Sequence, residues 1–127
     1  MTSPTTVTGV DFVTVFVKDY PAAQKFYGEL LGLEQSKDYE KIPAGEYETG
    51  SLTLQVMDAA SVGREFKPSG HPIAFHVDDV EAARANLESH GVEFLAETMD
   101  SGVCHMAFFN DPDGNVLMFH NRYAPQA

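Results

Sequence analysis

The chain has 127 residues, 43% of them hydrophobic and nine of them Phe, which suffices for one core of ordinary size but not for two independent ones. Eight Lys and Arg against 19 Asp and Glu leave a formal charge of −11, with no basic cluster, so nucleic-acid backbones and anionic membrane surfaces are poor partners. The single cysteine, Cys104, excludes an intrachain disulfide and a cysteine-rich zinc site; residues 1–8 have neither a basic start nor an apolar run, and a reducing, cytoplasmic location is expected.

The first strand signal runs from Val10 to Asp19, where an alternating apolar pattern ends in an Asp suited to cap a helix. Ala22, Phe26 and Leu30, with Tyr27 beside them, then form an apolar stripe that stops at Gly32. Strand-like runs follow at Glu34–Tyr39, Glu46–Thr49 and Leu52–Met57, with a break at Pro43-Ala44-Gly45. After a connector with Gly63, Pro68 and Gly70, the plan recurs at an offset of sixty: Val17 falls on Val77, Asp19 on Asp79, and Ala22-Ala23 on Ala82-Ala83. Val80, Ala83 and Leu87 make the second helical stripe, closed by Gly91. Strands are expected at Val92–Glu97, Val103–Phe109 and Asn115–Asn121, the last two joined by an Asp111-Pro112-Asp113-Gly114 turn. The organisation expected is one domain over residues 1–127, with module one at about 9–58, a connector at 59–70, module two at about 71–121, and frayed termini.

Two βαβββ units, each a sheet with a helix on one face, make an α+β fold in which the free sheet faces form a cup. Phe26-Tyr27 with Leu30-Leu31-Gly32-Leu33, the Val77-Asp78-Asp79-Val80 run, and Asp111-Pro112-Asp113-Gly114-Asn115 are spaced as in the glyoxalase/bleomycin resistance protein/dioxygenase (vicinal oxygen chelate) superfamily, which the chain resembles over roughly residues 9–121. The resemblance implies a divalent metal held by one His, Glu or Gln from each of four strands. Carried over by landmark and repeat, those positions are Phe12, Leu54, Pro72 and Met118, with Gln55 beside Leu54 leaving that register open. Only the Met thioether could donate, and to soft ions, so the ordinary metal site is expected to be absent. His71, adjacent to Pro72, could turn inward only with a one-residue shift and would still lack companions.

If Asn110 pairs with Asn115, Phe109 faces Val116, Ala107 faces Met118, and His105 faces His120. His76, four after Pro72, would share that side, so His76, His105 and His120 would look into one cavity as polar anchors, or as candidates for acid/base catalysis. Cys104 would point to the helix side; His90, ending the second helix, and the surface acids, Glu46 and Glu48 included, receive no role. The leading expectation is a protein that binds a small apolar or planar ligand without a metal cofactor, its cup lined by Phe12, Thr14, Phe16, Leu54, His76, His105, Phe109, Met118 and His120. This resembles the drug-sequestering branch of the superfamily, although no inward acidic residue is placed as a cationic drug would require. Two alternatives stay open: a lyase, isomerase or dioxygenase, with Zn, Fe, Mn or Ni at a site rebuilt around His71, His76, His105 and His120 or with metal-free histidine catalysis; and an interaction module whose cup is self-filled. A homodimer is expected by resemblance.

Overall fold

The computed structural model describes residues 5–125. Strand β1 (Phe12–Val17) leads to Asp19, whose carboxylate accepts the Ala22 N–H at 3.1 Å and starts α1 (Tyr20–Gln24), with Pro21 in the first turn where its missing N–H costs nothing. The helix continues as a π turn over Lys25–Leu30, closed by Leu31 N–H on the Phe26 carbonyl at 2.9 Å. That wider turn corrects the expected stripe: adjacent Phe26 and Tyr27 both enter the core, while Ala22 and Leu30 are only half-buried. Gly32, at φ 74°, reverses the chain.

Strands β2 (Glu34–Asp38), β3 (Ala44–Glu48) and β4 (Thr53–Asp58) complete a sheet ordered β1-β4-β3-β2, with β1 parallel to β4 and the other pairs antiparallel. The second module repeats the plan. Its elements are β5 (Ile73–His76), α2 (Val80–Ser89) capped by Asp79, β6 (Met99–Asp100), β7 (Cys104–Asn110) and β8 (Val116–Arg122), in the order β5-β8-β7-β6. Two βαβββ modules make the α+β architecture the repeat called for. Among the described residues no helix is long and apolar enough to cross a membrane.

Three local expectations are corrected. Residues 92–97 are not a strand: Phe94 makes one bridge to Phe109 and turns its ring into the core 5.2 Å from that of Phe109, while Arg84 anchors the segment through the Ala96 carbonyl and Thr98. Ala44 and Gly45 begin β3 instead of breaking it. Gly45 is required there, because a Cβ would collide with the Tyr20 hydroxyl and lie 3.0 Å from the Lys37 carbonyl; Gly45→Ala is expected to destabilise the fold by about 1–3 kcal/mol in urea unfolding. In the β7–β8 hairpin Asn110 pairs with Val116, not Asn115, because Asn115 is consumed by the turn, its N–H bonding Asp111 at 2.9 Å.

The core is one cluster drawn from both modules, with Tyr27, Tyr47, Leu54, Phe109 and Leu117 fully buried. Its polar atoms are paired: the Tyr20 and Tyr47 hydroxyls meet at 2.8 Å, and Tyr27 donates to Asp111 at 2.7 Å. Burial pushes the Tyr27 and Tyr47 phenols well above the ordinary value of 10.0. A phenol with a raised folded pKa contributes stability that is fully present below its unfolded pKa and is lost as pH climbs toward the folded one. Unfolding midpoints should therefore hold to about pH 9 and fall steadily above about pH 10, with Tyr27→Phe blunting that fall.

Candidate ligand-binding site

The Asp111–Asn115 turn positions both modules. Asp113 accepts the N–H groups of Lys18 and Asp19 at 2.7 and 3.0 Å, Asn115 donates its amide to the Phe16 carbonyl at 2.9 Å, and its oxygen accepts the Ser69 N–H at 2.8 Å. Asp111 joins the network from below, bonding Tyr27 and the Asn115 side chain. What reads locally as a good turn is a bracket between modules, and it fixes the end of β1 against the start of β8.

Residues paired across strands share a face, so the registers assign every side chain. On the first sheet Phe12, Thr14 and Phe16 of β1 lie with Thr53, Gln55 and Met57 of β4 and with Glu46 and Glu48 of β3, on the face away from α1. A hydrogen-bonded row crosses it. Thr14 donates to Gln55 at 2.9 Å, Gln55 donates to the Tyr39 hydroxyl at 2.8 Å, and Tyr39 donates to Glu46 at 2.7 Å. That bond to Glu46 raises the Tyr39 pKa, whereas hydroxyls of Ser36 and then Thr53 hold the Glu48 carboxyl below its usual range. Beside the row, Phe12 is 55% exposed, and the Arg64 guanidinium lies 4.7 Å from the Phe16 ring centre.

On the second sheet the open face carries Ala74 and His76, Met118 and His120, and Cys104, Met106 and Phe108. Several expected site residues are corrected by these registers. Leu54 is fully buried on the helix side, and the open-face residue of that pair is Gln55. Phe109 is fully buried among Phe26, Phe94 and Phe119, leaving Phe108 on the open face. His105 pairs with Asn121 instead of His120 and lies on the opposite side, its ring 4.8 Å from that of Tyr123 and its Nε2 3.4 Å from Asp100. The one-residue slip in the hairpin causes these last two errors, since strand neighbours alternate faces. Cys104 consequently takes the open face, buried beside the Ser101 hydroxyl at 3.1 Å.

Phe12, Thr14, Phe16, His76, Met118 and His120 do lie on the open faces, but only His76 and His120 of the expected histidine trio are together. His71 is an exposed residue of the bend before β5, and His90 caps α2 with its Nδ1 2.8 Å from the Asn86 carbonyl. Glu46 and Glu48 lie on the open face beside Gln55 and Thr53, a placement their acidic surroundings in the sequence do not announce. The alternation of Ala44, Glu46 and Glu48 with Gly45 and Tyr47 was the available signal, because Tyr47 is the obvious core residue of the run.

The description "Glyoxalase/Bleomycin resistance protein/Dioxygenase superfamily" fits a family model matching residues 9–119. The chain belongs to that superfamily. An uncharacterised Escherichia coli (strain K12) protein, YaeR, is 33% identical over 125 residues, covering 89% of this chain and 95% of its own. Among solved structures, TnmS3, an antibiotic binding protein from Streptomyces sp. CB03234, superposes with a TM-score of 0.78 at 24% identity, covering 94% of this chain and 99% of its own. Lactoylglutathione lyase from Agrobacterium tumefaciens gives 0.73 at 17% identity, covering 90% and 93%. At these identities the two structures share the fold, and the fold hosts both binding and catalysis.

Within the superfamily's plan, the four metal positions of this member read Phe12, Gln55, Pro72 and Met118 once the register is settled. Gln55 is the one hard donor, and both ends of its amide are already engaged by Thr14 and Tyr39. Among the described residues no group of three or more His, Cys, Asp and Glu could hold a metal ion. The donor set does not fit the superfamily's divalent centre, since one amide oxygen and a thioether cannot replace a divalent cation's water shell.

Proposed function

We propose that this superfamily member binds a small planar or apolar molecule on its open sheet faces, without the superfamily's divalent metal. The observation that carries the reading is the pairing of large apolar side chains left half-buried or exposed on those faces (Phe12, Phe16, Phe108 and Met118) with the Thr14-Gln55-Tyr39-Glu46 row. Apolar surface supplies affinity and a few fixed polar groups orient the ligand. TnmS3 is an antibiotic binding protein on the same fold, which supports binding as a use of the scaffold and says nothing of this ligand. Glu46 and Glu48 lift the objection that no acidic group faces inward. A cytoplasmic homodimer completes the proposal, the second copy covering apolar surface that one chain leaves open.

The enzyme reading needs a proton-transfer group held over a substrate. His76 is the candidate by its 3.3 Å contact with Asp78, yet its side chain is 69% exposed and Asp78 is fully so, which favours binding. The test is retention of metal. After incubation with excess Zn²⁺, Fe²⁺, Mn²⁺ and Ni²⁺ and desalting, elemental analysis should find far less than one ion per chain; stoichiometric retention lost in His76→Ala with His120→Ala would overturn the proposal in favour of a relocated metalloenzyme centre.

A further inference from the structure

The second sheet's open face holds a different donor set from the first. His76, His120 and Met106 are cross-strand partners in one row, His76 beside His120 on parallel strands and Met106 beside His120 on antiparallel ones. Met118 stands two residues before His120 on the same strand and therefore on the same face. Side chains paired in this way start about 5 Å apart at Cβ, and metal–donor bonds are on the order of 2 Å, so donors on three neighbouring strands can converge over the middle one. His120 is that middle residue. Asp78, 3.3 Å from the His76 Nε2, is placed to orient that imidazole from outside the row.

The chemistry of the row selects the ion. Two neutral imidazoles and a thioether, with a second thioether alongside, bring no charge to offset a divalent cation. Neutral nitrogen and soft sulfur suit a soft monovalent ion instead. We propose that His76, His120 and Met106 form a cuprous-ion site on the second sheet, one row along β8 from the superfamily's metal position at Met118 and on the same open face as the proposed ligand surface. Cys104 is outside the row: its Cα partner is Arg122, and its thiol is buried against Ser101.

The experiment is an anaerobic titration of the full chain with Cu(I), in competition with the chromophoric chelator bicinchoninate. One Cu(I) per chain should be withdrawn from the chelator. Met106→Leu, which conserves volume and leaves the fold intact, should weaken binding by about tenfold or more, as should His120→Ala; Cys104→Ser should leave it unchanged. Failure to compete overturns the proposal. So does a loss of binding in Cys104→Ser with none in Met106→Leu, which would assign the copper to a lone thiolate.

Discussion

Replacing Asp111 by Ala is expected to lower stability by about 3–5 kcal/mol, the cost of stranding several buried donors at once. The carboxylate accepts from the Tyr27 hydroxyl at 2.7 Å, the Asn115 amide at 2.8 Å, and the backbone N–H groups of Asn115 and Asp113 at 2.9 and 3.0 Å. An alanine accepts none of them, and water has poor access, since Asp111 and Asn115 are both buried. The loss spreads further, because Asn115 also holds the Phe16 carbonyl and the Ser69 N–H. Urea unfolding should show a lowered midpoint. Tyr27→Phe removes one of the four bonds and leaves its ring, so a smaller loss of about 1–2 kcal/mol is expected. Equal costs for the two variants would contradict the bracket as the joint between modules.

The second large effect separates two adjacent phenylalanines. Phe109→Ala should cost about 3–5 kcal/mol by opening a cavity among Phe26, Phe94 and Phe119. Phe108→Ala, one residue earlier and on the open face opposite Met118, should cost less than about 1.5 kcal/mol, since a surface that solvent reaches leaves no cavity. The reverse order would mean that the β7–β8 hairpin carries the one-residue-shifted register, which would return Phe109, and with it His105, to the open face.

The repeat made the fold legible. Asp19 and Asp79 cap helices at an offset of sixty, and glycines 32 and 91 end them at positive φ, each decided by local chemistry. The site was harder to read because faces depend on register, and register depends on partners far along the chain. Asn115 looks free to begin a strand until its bonds to Phe16 and Ser69, 99 and 46 residues away in sequence, hold it in the turn. Gln55 is told from Leu54 only by its pairing with Thr14 across the sheet. The π turn at Lys25–Leu30 was likewise invisible to a search at α-helical spacing.

Methyl-labelled methionine gives the most direct test of binding on the open faces without a divalent metal. Met99, Met106 and Met118 lie on the second sheet's open face, Met99 paired with Met106 across β6 and β7, and Met57 lies on the first. With a chelator such as EDTA in excess, a neutral planar probe of naphthalene type should shift the Met106 and Met118 methyl resonances saturably. Shifts that are absent until Zn²⁺ or another divalent ion is supplied, or Met106 and Met118 resonances that the probe leaves in place under every condition, would contradict it.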